Sequence, residues 1–232
     1  MPQLVSSKSL LVSSRPLCVG VVSQAQTLAS LPDDLSLHCD AVELRLDLLR
    51  LSADDVRAAA QKIKMPLVLT ARHPAEGGQG SEDAAGRMAL IEPLLDLASL
   101  IDIELRCIGE MKPLIDKART RGIPIVGSFH DFQATPADEV LEGAIGFAEN
   151  AGIDTVKIAT FINTTDDLIR LVNLVTAKRR LRLSAMGMGT WGRVSRLLLA
   201  KCGSLLNYGF LGDSNAPGQW PAAQLKTLLA EI

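Results

Sequence analysis

Lys157 lies in an apolar segment, TVKIAT (155–160), between Val156 and Ile158. Transfer of an ammonium group into an apolar interior is unfavourable unless the charge is paired or removed. One interpretation is therefore an ion pair inside the fold, or a side chain whose amine extends back to water. The other is a free amine that attacks a carbonyl carbon and forms an imine. Residue type and setting support the two interpretations equally.

His130 ends the preceding apolar segment, PIVGSFH (124–130). A histidine can transfer protons near neutral pH, although a single one more often caps or packs. Neighbouring strands of a sheet lie about 4.8 Å apart, so side chains on these two segments could reach one small molecule. The pair favours covalent catalysis by an amine with an imidazole as its acid and base.

Charged residues alternate in AVELRLD (41–47), where Glu43, Arg45 and Asp47 are separated by leucines. A period of two places all three on one face of a strand. Three charges on a buried row indicate ligand binding, and a structural ion-pair network is the less favoured alternative. Asp102 and Glu104 form a second such row, for which ligand binding and a structural ion-pair network are equally supported. We expect Glu104 to pair with Arg45.

Arg72 ends a third apolar segment and is followed by the glycine-rich stretch AEGGQG (75–80). Such a loop can close over a ligand. Glu76 lies in it, and we expect its carboxylate to orient His130 and to select the imidazole tautomer. His73, also in this region, is predicted to be an ordinary loop residue.

Arg196 follows a glycine-rich turn that leads into a helix at GRVSR (192–196). A helix start and an arginine together can bind an anion, and Arg193 competes for this role. The loop GDSNAPGQW (212–220) offers Gln219 as a polar contact. Because barrels often bind phosphate in their last two loops, a phosphosugar ligand stays an alternative.

The elements that must position these residues form a regular alternation. Eight apolar segments, typical of parallel strands covered on both faces, lie at 17–23, 41–47, 66–72, 99–105, 124–130, 155–160, 181–187 and 205–211. Helical patterns lie between them at 51–63, 81–98, 135–152, 164–180 and 220–232. This order in 232 residues predicts an α/β fold, a (β/α)₈ TIM barrel, with reactive groups at the carboxyl ends of the strands. A doubly wound sheet is disfavoured because the turn after the first strand has no glycine.

The helix boundaries have local signals. Ser52 and Ser81 are predicted N-caps, and Pro93 should kink or end its helix. Thr135 is predicted to cap the next helix, with proline at the first helical position. We expect one domain over 1–232, in which 1–16 is a tail or a short hairpin closing the barrel bottom.

Composition excludes several classes of function. The net charge is −2 and aromatics make up 3%, which argues against nucleic-acid and membrane-surface binding. The four cysteines are scattered, a distribution typical of reduced thiols in a cytoplasmic protein. The three histidines lack ligand spacing, so no metal site is predicted. No apolar run reaches the ~18 residues that a membrane span needs.

The segments VELRLD, LTAR with AEGG, FHDF, VKIA, GRVSR and APGQ occur in this order, each at the end of a predicted strand. Together they resemble the type I 3-dehydroquinate dehydratases, from the first strand to the last helix. The resemblance implies a cofactor-independent lyase, a homodimer, acting on a small molecule. Its reaction would be syn elimination of water from 3-dehydroquinate through a lysine Schiff base, giving 3-dehydroshikimate, the third step of chorismate and aromatic amino acid biosynthesis.

The resemblance also implies roles for individual residues. Lys157 corresponds to the Schiff-base lysine, and His130 to the general acid and base, with Glu76 as its partner. The implied substrate-binding residues are Glu43, Arg45, Arg72, Arg196, Gln219 and Asn215. The family often has serine directly before APGQ, where this chain has Asn215, with Ser214 one position earlier. We therefore expect a difference in loop closure and affinity rather than in chemistry.

Two alternatives stay open at this point. A class I aldolase acting on a phosphosugar would share the lysine and bind phosphate in the last two loops. A non-catalytic barrel used as a binding module would make Lys157 and His130 structural.

Overall fold

The computed structural model describes residues 10–81, 83–214 and 216–232. Eight parallel strands are arranged in the order β7-β6-β5-β4-β3-β2-β1-β8. They are β1 (Leu17–Val22), β2 (Ala41–Arg45), β3 (Leu67–Thr70), β4 (Leu100–Glu104), β5 (Ile125–Asp131), β6 (Thr155–Phe161), β7 (Arg182–Met188) and β8 (Leu206–Phe210). Each strand is followed by helical structure, which confirms the predicted (β/α)₈ barrel.

The helices surround this barrel. They are α1 (Ala25–Ala29), α2 (Leu46–Leu49), α3 (Ala53–Ala60), α4 (Ala84–Ile91), α5 (Lys112–Thr120), α6 (Asp138–Asn150), α7 (Thr165–Thr176), α8 (Gly192–Lys201) and α9 (Ala222–Ala230). Short 3₁₀ helices lie at Pro74–Glu76, Glu92–Leu97, Leu105–Cys107 and Gly189–Trp191. Helices α1, α2 and α5 were not predicted from the sequence. Within the described ranges, no helix is long and apolar enough to cross a bilayer.

The barrel closes between β7 and β8 through a side chain as well as the backbone. The Leu205 amide donates to the Leu183 carbonyl at 2.8 Å. The buried Ser204 hydroxyl accepts from the Ala185 amide at 3.0 Å and donates to the Ala185 carbonyl at 3.1 Å. A serine therefore satisfies backbone groups that the strand ladder leaves open at this seam.

The barrel interior has an apolar floor beneath a polar layer. Inward-facing Ala41, Val68, Leu100 and Val126 pack together at the amino-terminal end, and Leu10 packs against this cluster. Two residues further along each strand the inward positions are polar: Glu43, Thr70, Asp102 and Ser128. The strand period of two places both sets inside the barrel. Apolar packing thus closes the bottom, and polar groups are left for the top.

Most local helix signals agree with the structure. The Ser52 hydroxyl accepts from the Asp55 amide, which makes it the N-cap of α3 as predicted. Helix α4 ends at Ile91 and continues as a 3₁₀ helix that contains Pro93, because proline lacks the amide that an α-helix requires.

Two predicted caps and two strand ends were wrong. Strand β3 ends at Thr70, so Arg72 follows the strand instead of ending it. Helix α4 is capped by Asp83 instead of Ser81. Helix α6 begins after Ala137, because the Thr135 hydroxyl bonds to Thr160 and to the Phe161 carbonyl instead. Strand β2 ends at Arg45, so Asp47 lies on α2 and the predicted row of three charges contains two. Residues 10–16 contain no strand, and the rest of the predicted tail or hairpin lies outside the described residues.

We predict that Ser204→Ala lowers the free energy of unfolding by about 1–3 kcal/mol, because two buried backbone groups lose their partner. Urea denaturation would measure this. Ser30→Ala is the matched control, since the Ser30 hydroxyl also donates to backbone carbonyls but is exposed, and its effect should stay within about 0.5 kcal/mol. Equal effects of the two substitutions would contradict the role given to Ser204.

Candidate active site

A cavity opens at the carboxyl ends of the strands. Eight residues that the sequence predicted for the site line it: Glu43, Arg45, Arg72, Glu76, His130, Lys157, Arg196 and Gln219. The ninth, Asn215, lies outside the described residues. Residues from six strands or the segments that follow them thus meet in one place, as the barrel topology requires.

Lys157 lies on β6 with its side chain only 6% exposed. Its Nζ is 3.1 Å from Asp102 Oδ2 and 3.6 Å from Glu43 Oε1. The same atom lies 4.0 Å from the centre of the Tyr208 ring. The amine therefore has carboxylate partners and also borders the open cavity, so an ion pair and access to a ligand coexist.

Asp102 connects this amine to Arg72. Its carboxylate accepts from Arg72 Nη2 at 2.9 Å and from the Ser128 hydroxyl at 2.6 Å. Burial raises the pKa of Asp102, but the charges of Arg72 and Lys157 outweigh burial and hold that pKa well below its ordinary value. Asp102 is a permanent carboxylate at neutral pH.

Arg72 is held by a second carboxylate. Its Nη1 donates to Glu104 at 2.8 Å and to the Ser128 hydroxyl at 2.5 Å. Glu104 also accepts from Nη1 of Arg87, which is fully buried on α4. The expected pair of Glu104 with Arg45 was therefore wrong. Sequence periodicity missed Arg87 because it lies on a helix, away from the strand ends.

Arg45 pairs instead with Asp47. Two hydrogen bonds of 3.0 Å and 2.8 Å join the guanidinium to both carboxylate oxygens. Asp47 also accepts from the amides of Arg72 and Gln79, and Arg45 donates to the Gly77 carbonyl at 3.3 Å. This pair therefore holds the loop after β3 against the end of β2.

That loop brings Glu76 to His130. The Glu76 carboxylate is 2.8 Å from His130 Nδ1, and it accepts from the His130 amide at 3.0 Å. The loop turns at Gly77, which has a φ of +84° and lies against Phe132, where a Cβ would be only 2.6 Å from the ring. Because Nδ1 faces Glu76, Nε2 is the ring nitrogen left for a ligand.

Burial changes the proton affinity of both partners. It raises the pKa of Glu76 to about 7. Burial, together with the charges of Arg72 and Lys157, lowers the pKa of His130 well below 6.5. The imidazole is therefore neutral at pH 7 and can accept a proton, as a general base must.

Arg196 differs from the other buried arginines in its partners. Its Nε and Nη1 donate to carbonyls of Tyr208, Gly187, Gly192 and Gly218 at 2.7–3.1 Å. Among the described residues it forms no ion pair, and burial lowers its pKa to about 10, so it stays charged at pH 7. A cation with no counter-charge beside a cavity is suited to an anionic ligand.

Arg193 does not compete for this position. Its guanidinium lies 4.9 Å from the centre of the Trp220 ring, and its Nε donates to the Gln219 carbonyl at 3.4 Å. The Gln219 side chain accepts from the Ser214 hydroxyl at 3.4 Å. His73 is a loop residue, as predicted, whose Nδ1 accepts from the Ala75 amide.

The sequence profile described as Type I 3-dehydroquinase matches residues 17–232. This chain belongs to the type I 3-dehydroquinase family. It is 32% identical to the 3-dehydroquinate dehydratase of Methanocella arvoryzae over 206 residues, covering 88% of this chain and 93% of that protein. It is 29% identical to the 3-dehydroquinate dehydratase of Thermodesulfovibrio yellowstonii over 204 residues, covering 87% and 89%. The structure of the Enterococcus faecalis 3-dehydroquinate dehydratase superposes with a TM-score of 0.79 at 28% identity, covering 96% of each chain.

Other residues of this family member line the cavity without having been predicted. They are Val21, Gly77, Phe132, Ala159, Met186, Met188, Tyr208 and Ala216. The apolar ones have no signal in the sequence, because core and cavity walls use the same residue types. Tyr208 did have a signal in the sequence that could have identified it, since it is the single tyrosine of the chain and lies within a predicted strand. In the part of the chain that the structure describes, no group of three or more histidine, cysteine, aspartate or glutamate residues is placed to hold a metal ion.

We predict that Asp102→Asn lowers the free energy of unfolding by about 3–5 kcal/mol, because Arg72 and Lys157 lose a buried counter-charge. Urea denaturation at pH 7 would measure this. The control is Asp116→Asn, whose carboxylate is 51% exposed and pairs with exposed Lys112, and it should cost about 0.5 kcal/mol or less. A loss for Asp102→Asn no larger than for the control would exclude the central role of Asp102.

Proposed function

We propose that this chain is a 3-dehydroquinate dehydratase that removes water from its substrate through an imine on Lys157. The observation that carries the proposal is a buried amine bordering the same cavity as a neutral histidine held by a carboxylate. Membership of the type I family supplies the substrate. The product would be 3-dehydroshikimate, in the third step of chorismate and aromatic amino acid biosynthesis.

The lysine begins the reaction. Its free amine adds to the ketone carbon of the substrate, and loss of the ketone oxygen as water leaves a protonated imine. This cation is a stronger electron sink than the ketone, so the proton on the neighbouring carbon becomes easier to remove. Addition of water to the imine at the end releases the ketone product and restores the amine. The water lost on imine formation is thus recovered, and one water is lost overall.

His130 would transfer the proton. Its Nε2 takes the proton from the carbon next to the imine, which gives an enamine. The enamine electrons then expel the β-hydroxyl group, which leaves as water with the proton returned by the same imidazole. A single base that performs both steps acts on one face of the substrate, so the elimination is syn. Glu76 keeps the Nδ1 proton in place and stabilises the transient imidazolium.

The remaining charges would bind the substrate at two ends. Arg196 is the partner we assign to the substrate carboxylate, because it has no counter-charge among the described residues. Glu43 borders the cavity beside Lys157 and can accept from a substrate hydroxyl. Gln219 and Asn215, from the loop after β8, are proposed as further hydroxyl contacts. Arg45 and Arg72 would act mainly by holding the loop and the carboxylates in place.

A class I aldolase acting on a phosphosugar is less well supported. A phosphate dianion is usually bound by several donors, often with more than one cation. Of the arginines in the last two loops within the described residues, Arg196 lines the cavity, whereas Arg193 packs on Trp220. One cation suits a carboxylate better than a phosphate. A non-catalytic barrel is also less well supported, because ligand binding alone does not require the hydrogen-bonded Glu76–His130 pair at the cavity.

We also propose that the protein is cytoplasmic and forms a homodimer. All four cysteines are free thiols and three are buried, consistent with a reducing compartment. The dimer is inferred from family resemblance, and a monomeric mass in sedimentation equilibrium at micromolar concentration would refute it.

Borohydride reduction with 3-dehydroquinate tests the covalent route. We expect the wild-type protein to gain the mass of one reduced adduct, located on Lys157 by peptide mapping, while ultraviolet absorbance reports formation of the conjugated enone. Lys157→Ala should give neither adduct nor turnover. Lys112→Ala, which changes an exposed lysine, should behave like the wild type. An unmodified Lys157 in folded, substrate-treated protein would refute the mechanism.

Glu76 should govern the acidic limb of the pH profile. Because burial raises its pKa to about 7, kcat/KM should fall as pH decreases through that value and Glu76 loses its charge. Glu76→Gln should abolish this limb and lower kcat/KM by about 10²-fold, the lower range of acid–base effects. Glu139→Gln, an exposed change on α6, is the control and should keep the profile.

The same shift has a second readout, in stability. A carboxyl whose pKa is raised from 4.5 to about 7 on folding favours the folded state below pH 4.5, and this contribution is lost as pH rises through 7. Stability should therefore decline over that window in the wild type, and Glu76→Gln should decline less. Identical declines would show that another group is responsible.

A further inference from the structure

We infer that the aromatic ring of Tyr208 stabilises the protonated imine on Lys157, and that Tyr208 is therefore a catalytic residue of this barrel. The inference deepens the proposed function and rests on it, since it requires that Lys157 forms an imine. Its starting point is a contact between the ring and the nitrogen atom that reacts.

The contact is close and excluded from bulk water. Lys157 Nζ lies 4.0 Å from the centre of the Tyr208 ring, within the ~6 Å range of a cation–π interaction. Tyr208 is 2% exposed and lines the active-site cavity. Cation–π attraction is strongest when both partners are desolvated, because water no longer competes for the cation.

The ring is also fixed in position. Tyr208 pairs with Val19 in the register of β8 and β1, and its carbonyl accepts from Arg196 Nε at 3.1 Å. Its side chain packs in the apolar cluster of the barrel floor. A preorganised ring needs no rearrangement as charge develops, which is the condition for electrostatic catalysis.

The benefit to the imine follows from the change in hydrogen-bond donors. An ammonium group has three N–H donors, and in the free enzyme one is directed to Asp102 at 3.1 Å. A protonated imine keeps the positive charge but has a single N–H, because two of the three hydrogens leave with the water. Attraction to an aromatic face needs no N–H, so it persists while hydrogen bonds are lost. The ring therefore offsets part of the stabilisation that the nitrogen loses as the imine forms.

The phenolic hydroxyl does not account for this effect. Tyr208 Oη is buried and has no hydrogen-bond partner among the described residues. Burial and the nearby charges of Glu43 and Asp102 raise its pKa well above 10, so the phenol is neutral. The interaction with Lys157 therefore runs through the face of the ring, and a phenylalanine would preserve it.

Tyr208→Phe and Tyr208→Leu separate the two parts of the side chain. We expect kcat of Tyr208→Phe to stay within about threefold of the wild type, whereas Tyr208→Leu should lose about tenfold, the size of a desolvated cation–π contact. The fraction of Lys157 that borohydride traps at saturating substrate should fall in parallel. Equal losses in both variants would overturn the inference, because they would assign the effect to the hydroxyl.

A graded series removes the concern that leucine disturbs packing. Phenylalanines with increasing ring fluorination, incorporated at position 208, keep the shape of the ring while they weaken its negative face. The logarithm of kcat, and the trapped imine fraction, should decrease steadily along this series. Values that do not change with fluorination would overturn the inference. Wild-type turnover and trapping are measured first, so that an inactive wild type counts against the proposed function, whereas an unresponsive series counts against the role of Tyr208.

Discussion

The Asp102 carboxylate lies between two buried cations, Arg72 Nη2 at 2.9 Å and Lys157 Nζ at 3.1 Å, and the rest of the site depends on this arrangement. In a poorly solvated interior each charge would be strongly unfavourable alone. Arg72 extends the network to Glu104 and through it to Arg87 on the outer helices. The amine therefore occupies a defined place at the cavity because charges on β4, on α4 and directly after β3 are balanced around it.

Two layers of the barrel interior have different roles, the lower one in stability and the upper one in chemistry. The apolar floor packs like any protein core and excludes water from below, and the charged layer above it can then interact in a low-dielectric environment. Burial also gives the Glu76–His130 pair its proton affinities, because it disfavours the charged form of each partner. Such a layer lowers the stability that an apolar interior would provide, a common cost of a functional site.

Charge is distributed unequally around the cavity. The carboxylates near Lys157 come from β2 and β4, whereas Arg196 comes from α8 and is bonded to the loop after β8 by the Gly218 carbonyl. In the proposed reaction a substrate with a carboxylate at one end and a ketone at the other would be oriented by this difference. Gly192 and Gly218 allow α8 to lie close to the loop after β8, because a Cβ on Gly192 would lie only 2.7 Å from the Gly218 carbonyl oxygen.

The barrel and eight of the residues that line its cavity could be predicted from the sequence. Eight apolar segments in alternation with helices leave few topologies, and in a barrel the inward-facing residues near the carboxyl ends of the strands lie at or close to one cavity. The partners of those residues were decided by tertiary structure. Glu104 pairs with Arg72 and Arg87, and Arg45 with Asp47, because distances between side chains depend on register, strand ends and loop paths. The contact of Tyr208 with Lys157 belongs to the same class, since β6 and β8 become neighbours of one cavity only when the barrel closes.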